Sequence, residues 1–452
     1  MADAADVDVC VVGAGYAGLT AARRLTEAGL GVAVLEARDR VGGRIWTHQL
    51  PNGAPVDRGG AWLSPHHDAI FGLAREVGVD TYKTWVAGAH LLVENGRTRR
   101  YTGLIPKISP LAVITIALAQ MRIDRLAKRL PIDAPWAARR AAEWDARTVA
   151  SYVEQTRIRS AIGRDLFEMA VRGLFATDLR EVSLLDLLLL VRGHGSINRL
   201  FSIEGGAQEN MVVGGAGEIA RRVAAGLDDA VHLETPVRSI TQRDDHVVVD
   251  ADGLSVRARY VVVAIPPALI PRIVFEPALP ADRRALYERA PAGVETKTLI
   301  VYDEPFWRAD GFSGQTAGPG SVAEVTLDAT PADGTPGVLA SFTFGPVAAR
   351  ADALDPEDRR AAVVDALAAR LGPRARSPAA FIPTSWWTEE WTRGCSMSHF
   401  APGVLTESGR LLREPWGRLH WAGTETSVVS HGAIDGAVRS GARAATEIRE
   451  RA

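Results

Sequence analysis

The sequence predicts an α/β chain in which a Rossmann-like, dinucleotide-binding domain is interleaved with a second, α+β domain. Three observations carry this. A continuous apolar run, Val7–Val12, fits a buried parallel strand and ends in a glycine triplet that opens a helical pattern. Strand-like runs return far down the chain, at 231–240, 246–267, 295–308, 322–328 and 338–344. And 452 residues exceed one ordinary core, yet no linker-like stretch separates two halves. The chain is therefore expected to cross between its domains several times.

Taken in order, Gly13, Gly15 and Gly18 form G-x-G-x-x-G at the end of the first strand. Gly13 permits a tight turn, Gly15 lets backbone approach a pyrophosphate, and Gly18 lets helix pack close to strand. Leu19, Ala22 and Leu25 recur at helical spacing, and Gly29 stops the helix. The N-terminus of that helix offers free N–H groups and partial positive charge to the pyrophosphate. Val32–Leu35 is a second strand, ending at Glu36, near the offset from Gly18 expected of a carboxylate that holds ribose hydroxyls. In EARDRVGGR (36–44), Gly42 and Gly43 allow a second close backbone approach, and Arg44 can pair with phosphate. Spacing alone leaves NAD and FAD both open.

VDRGGAWLSP (56–65) is another glycine-rich loop. Residues 83–208 read mostly helical, with Asp145 as a cap candidate and an apolar stretch at 171–191. VVGGAGEIA is a glycine turn into a helix. Asp252-Gly253 reads as a hairpin turn between strands. In ETKTLIVYDEPFWR (295–308), period two places Lys297 on the same face as Leu299 and Val301. A lysine on an apolar face is either a snorkelling edge residue or a buried functional one. Asp355-Pro356 opens a helix whose face is Val363, Leu367 and Leu371, and Gly372 ends it.

Composition excludes several classes. A net charge of -2 with interspersed signs offers no face for nucleic acid or anionic lipid. Two cysteines make neither a disulfide framework nor a metal site; Cys10 reads as a core thiol, and Cys395 on its own reads as another. The opening MADAADVDV does not read as a signal peptide. The apolar runs 110–121 and 184–191 fall short of the roughly 18–20 residues a membrane span requires. No membrane anchor and a cytoplasmic, reducing location are expected.

The glycine-rich N-terminus, RLFSIEGGAQENMVVGGAGEIARRVA (199–224), and the stretch from SWWTEEWTRGCSMSHFAPG through HWAGTETSVVSHGAIDGAVRSG resemble the flavin-containing monoamine oxidases. The resemblance implies FAD, with Arg38, Gly43 and Arg44 in the segment that binds its diphosphate. It puts Gly59, Gly60 and Trp62 against the flavin and the backbone of Val237 on the adenine side. It turns Leu174, Phe175, Phe201 and Gln208 toward a substrate cavity. It has Lys297 hold a water against flavin N5, and bonds Cys395 through sulfur to the 8α carbon of the ring. Backbone N–H groups of Gly423, Thr424, Glu425 and Thr426 would face the pyrimidine end. It implies an FAD-binding domain of 1–82, 209–288 and 390–452, and a substrate-binding domain of 83–208 and 289–389.

Two positions depart from the family. Where it carries a pair of aromatics beside the flavin, this chain aligns Ser396 and Ala433. His399, His431, Trp387 and Trp391 are the candidates to replace one of them. The implied activity is oxidation of an amine to an imine by hydride transfer to the flavin, with O2 reduced to hydrogen peroxide. The lost aromatics point to a substrate bulkier than simple arylalkylamines. Two alternatives stay open: a biosynthetic desaturase or amide (secondary-amine) oxidase acting on a large natural product, and a flavin-bound interaction or sensor protein without turnover. A homodimer is compatible with the sequence.

Overall fold

The computed structural model describes residues 5–94, 96–103, 106 and 108–451. The first four residues of the MADAADVDV stretch and of the implied domain 1–82, and the last residue of 390–452, lie outside them.

Two sheets organise the chain. In the first, Ala5–Val12 lies between Val32–Leu35 and Leu254–Val263 and runs parallel to both, with Val9 opposite Val32 and Tyr260. Its order continues through Val247–Ala251, Val237–Gln242 and Val274–Glu276 on one side and Val231–His232 on the other, while Leu419–Trp421 also joins Leu254–Val263. Strands from three separated stretches therefore build one layer, as the recurrent apolar runs require. The helix Tyr16–Glu27 covers this sheet, and the C-terminal helix Ile434–Arg449 crosses it closely. A Cβ on Gly441 would stand 2.1 Å from the Ala17 carbonyl oxygen, so only glycine permits that crossing.

The second sheet runs Ala380–Ser385, Glu295–Tyr302, Gly337–Phe344, Val325–Asp328, Phe312–Ala317, Ala89–Glu94 and Arg97–Tyr101. Its last two strands correct the helical reading of 83–208. They form an antiparallel pair whose short, charged outer member has no apolar periodicity to announce it. The strand expected at 322–328 begins only at Val325, because the Glu324 carboxylate accepts the N–H groups of Gly320 and Phe344 and ties 318–324 into a turn. Glu295–Tyr302 is paired on both sides and buried throughout, which removes the edge-lysine reading of Lys297.

The helices Pro110–Ala127, Ala141–Asp145, Val149–Gln155 and Ile197–Phe201 pack around Leu184–His194, whose leucines are buried. Asp145 is not a cap. It ends the helix Ala141–Asp145, and its carboxylate accepts the Thr406 N–H and hydroxyl at 2.8 and 2.7 Å, while Thr148 caps the next helix. Pro110–Ala127, capped by Ser109, buries one face and exposes Leu111, Ile114, Leu118 and Met121 on the other. Among the described residues no helix is long and apolar enough to cross a membrane.

Candidate active site

The glycine triplet forms a cradle at the C-terminal edge of the parallel strands. A Cβ on Gly18 would lie 1.9 Å from the Gly13 carbonyl oxygen, and one on Gly43 would lie 3.3 Å from the Gly15 Cα. Gly42 donates its N–H to the Ala14 carbonyl at 2.9 Å, drawing the second glycine pair against the first. The helix Tyr16–Glu27 begins at Gly15 without a side-chain cap, so its first N–H groups face the groove. Glu36 is buried. Its carboxylate accepts the Ala14 N–H at 2.7 Å and the Arg38 N–H at 3.0 Å, which fixes it at the strand end with lone pairs to spare for ribose hydroxyls. Val237, Arg38 and Gly60 line the same groove.

From the cradle the groove continues as one cavity of about 370 Å³ into a chamber walled by the helices Ala161–Phe175, Leu184–His194 and Ile197–Phe201. Gly173, Leu174, Leu190 and Leu200 supply its apolar wall, and Trp62, Gln208, Ser396, Ala433 and three histidines the rest. His67 takes the Ser64 N–H on Nδ1 at 3.0 Å, His194 contacts the His431 carbonyl through Nε2 at 2.8 Å, and His431 contacts the Ser427 carbonyl through Nδ1 at 3.2 Å. Burial lowers all three, His67 to about 3 and His194 to about 4, so the rings are neutral at physiological pH. Trp62 Nε1, His67 Nε2 and His431 Nε2 are buried without a partner in the protein.

Lys297 stands behind Trp62 and is 2% exposed. Its ammonium donates to the Gly59 carbonyl at 2.7 Å and lies 4.8 Å from the Trp62 ring centre and 5.5 Å from that of Phe342. Burial pulls its pKa down to about 8, against the opposing effects of Asp57, Glu295 and Cys395. Cys395 lines the cavity, held by its N–H to the Gly293 carbonyl at 3.0 Å. Burial, followed by Glu295, pushes its thiol well above the ordinary range; Arg44 and Lys297 work in the opposite direction.

Several expected roles fall elsewhere. Arg44 is not free for phosphate: its two terminal nitrogens reach Glu425 at 2.6 and 3.0 Å, and one also reaches the Ser396 carbonyl at 2.9 Å. Burial opposes both charges, yet their pairing holds the guanidinium above and the carboxyl below the usual range. Removing either partner of such a pair costs about 3–5 kcal/mol. Glu425 thus contributes its side chain, which also accepts the Ser398 N–H at 3.1 Å. Of the four residues whose N–H groups are expected at the pyrimidine end, only Gly423 and Thr424 line the cavity; the Gly423 N–H goes to Ser440 Oγ and that of Thr426 to the Gly423 carbonyl.

Phe175 is fully buried in the helical core, because at the end of Ala161–Phe175 it points away from the wall that Leu174 forms. Phe201 packs against that core, and its neighbour Leu200 takes the wall position. Trp387 donates to Asp352 at 2.8 Å and is not on the cavity wall. Trp391 lies beside Arg272 and Arg238, and His399 is buried 3.9 Å from Glu181. Of the candidate aromatic replacements, Trp391 and His431 line the cavity, Trp391 together with Arg272, which sits over its ring, and His431 beside Ala433.

Sequence reasoning missed His67, His194 and the N-terminus of Ile434–Arg449, which opens at Ala433 without a side-chain cap and lines the cavity. The dipeptide His66-His67, directly after the glycine-rich loop, was the available signal.

A glycine-lined groove at the ends of parallel strands, continuous with an apolar chamber, defines a dinucleotide-dependent oxidoreductase. Comparison with known proteins makes this specific. The sequence profile of flavin containing amine oxidoreductases matches residues 16–449. The Mycobacterium tuberculosis protein AofH, named as a flavin-containing monoamine oxidase, is 40% identical over 443 residues, covering 98% of this chain and 96% of that one. Cyclohexylamine oxidase from Brevibacterium oxydans superposes with a TM-score of 0.94 at 35% identity over 99% of both chains. Putrescine oxidase does so with 0.95 at 33% identity, covering 99% of this chain and 100% of that one with putrescine bound; variants redesigned for cofactor binding match equally well. This chain belongs to the flavin containing amine oxidoreductase family. It is an enzyme, a flavin-dependent amine oxidase.

The residues present fit a flavin dinucleotide. The cradle is closed to any side chain at Gly18, Glu36 is oriented at the strand end, and two uncapped helices, Tyr16–Glu27 and Ile434–Arg449, aim N–H groups into one groove.

Proposed function

We propose that the chain is an FAD-dependent oxidase that converts an amine to an imine with O2 reduced to hydrogen peroxide, on a substrate bulkier than simple arylalkylamines. The observation that carries this is the single cavity joining the glycine cradle, Cys395 and an apolar chamber walled by Ser396 and Ala433. When bound, FAD accepts a hydride equivalent from the amine α-carbon and delivers the electrons to O2.

The protein's part is to hold and to tune. Glu36 and the uncapped start of Tyr16–Glu27 bind the ribose and diphosphate. The start of Ile434–Arg449 offers partial positive charge to the pole where negative charge gathers on reduction. Leu174, Leu190 and Leu200 exclude water from the amine. Lys297, fixed by Gly59 and Trp62, positions a water for the oxygen step. Small side chains at 396 and 433 widen the chamber; the same widening favours, as a second reading, a desaturase or secondary-amine oxidase for a large natural product.

Cys395 is the attachment point for the flavin in this reading. Arg44 and Lys297 are the two cations that favour its thiolate. A putrescine oxidase variant redesigned for cofactor binding carries an alanine-to-cysteine and a glutamine-to-glycine change thirty-seven positions apart. Cys395 and Gly432 stand at that spacing here.

Peroxide release from a panel of primary and secondary amines tests the activity. Production with at least one primary amine supports the oxidase, and silence across the panel with a flavin-loaded protein supports the second reading.

A further inference from the structure

We propose that the substrate, beyond its amine, carries a hydroxyl group, and that His67 and His194 read it. This deepens the amine-oxidase reading above and rests on it.

The argument starts from tautomers. His67 Nδ1 accepts the Ser64 N–H at 3.0 Å, so the ring proton sits on Nε2. That Nε2–H is buried, has no partner in the protein, and belongs to a residue 3% exposed on the cavity wall. A buried donor left unsatisfied costs about 1–3 kcal/mol, which a ligand acceptor recovers. His194 Nε2 lies 2.8 Å from the His431 carbonyl, which can only accept, so the proton is on Nε2 and the Nδ1 lone pair is left as an acceptor. The two ring centres are 6.0 Å apart at 64°. One donor and one acceptor on neighbouring rings suit a hydroxyl, which accepts from the first and donates to the second.

Charge narrows the class. Arg44 is committed to Glu425 and the Ser396 carbonyl, and the Lys297 ammonium to the Gly59 carbonyl. The histidines themselves are neutral. The chamber therefore has a neutral polar pair and no free cation among the described wall residues, which disfavours a carboxylate-bearing amino acid and suits an amino alcohol or hydroxylated cyclic amine.

The test uses matched pairs on the flavin-loaded enzyme: cyclohexylamine against trans-4-aminocyclohexanol, and phenethylamine against tyramine. The hydroxylated member is expected to have a kcat/KM at least ~10-fold higher in one pair, since a buried polar site rejects the analogue that leaves it unpaired. In His67→Leu that ratio falls to about one, and in His67→Gln, which restores an N–H donor, part of it returns. Equal kcat/KM within both pairs overturns the proposal even if the variants do not fold. A His67→Leu change that lowers both members alike, or that alters flavin retention while the ratio stands, assigns His67 to the cofactor and also overturns it. Oxidation of none of the four, with the wider panel of primary and secondary amines also silent, is a failure of the amine-oxidase reading itself, whereas oxidation of other panel amines with no preference for their hydroxylated members overturns the hydroxyl proposal.

Discussion

The two ends of the cavity are built from different materials. At the dinucleotide end the contacts belong to backbone, and the sequence shows them as glycines: Gly13, Gly18, Gly42 and Gly43 stand where a Cβ would meet main chain or where φ is positive, and Gly15 lies against Gly43. At the substrate end the contacts belong to side chains from Leu174, Leu190, His194, Leu200, Gln208 and Ala433, brought together from separate elements. The first end tolerates almost no change and varies little in form. The second can be rebuilt one side chain at a time, and it is where this chain departs from the aromatic pair.

Gly18→Ala should sharpen that contrast most. With 1.9 Å between the added carbon and the Gly13 carbonyl oxygen, helix and strand must separate, at a cost of about 1–3 kcal/mol or more. The expected result is protein purified with little or no flavin, whereas Leu174→Ala keeps its flavin and changes only KM and kcat for amines; absorbance per protein measures the first and initial rates the second. Equal flavin content in Gly18→Ala would break the comparison.

Lys297→Met comes next. It should leave anaerobic reduction by an amine nearly intact and slow reoxidation about 10²-fold near pH 7. Since burial brings the ammonium to about 8, reoxidation in the unmodified enzyme should fall as pH rises through that value, and the Met variant should show no such step. Stopped-flow mixing with O2 across pH 6–10 reads both.

Cys395→Ala should release the flavin rather than lose it. Acid-precipitated unmodified protein stays yellow, and the variant gives its colour to the supernatant. Free flavin from unmodified protein removes the thioether.

The smallest effect is expected at Asp186, fully buried where its carboxylate accepts the Phe400 N–H at 2.8 Å, between the helical core and the Cys395 loop. Burial raises it to about 8 from an ordinary 3.8. The native state then keeps a proton that the unfolded chain has released, so this contribution is full below 3.8 and declines as pH rises toward 8. Asp186→Asn cannot ionise; its Tm relative to the unmodified protein should rise by ~2–4 °C between pH 5 and pH 8. A pH-independent difference would show that Asp186 is already ionised.

The same division explains what could be read beforehand. The parallel strands, the cradle, Glu36 and the buried face of Lys297 follow from periodicity and from residue types that only one backbone geometry explains. Residues whose role depends on which way a helix end faces were misplaced: Leu174 reaches the wall and Phe175 does not, and Leu200 supplants Phe201. Arg44 was read as a phosphate partner because its carboxylate, Glu425, lies 381 positions away. His67 and His194 escape a reading of the sequence because the backbone groups that fix their neutral imidazoles are set by the fold, and only the dipeptide His66-His67 after the glycine-rich loop marks one of them. The hairpin at 89–101 was hidden by its charged outer strand.

The most direct measurement is anaerobic titration of the purified flavoprotein with a primary amine while its visible spectrum is recorded. Bleaching of the flavin band, followed by full recovery on admitting O2 with one peroxide formed per turnover, is the expected result. A spectrum that no amine alters, or a nicotinamide in place of flavin in the purified protein, would contradict the account.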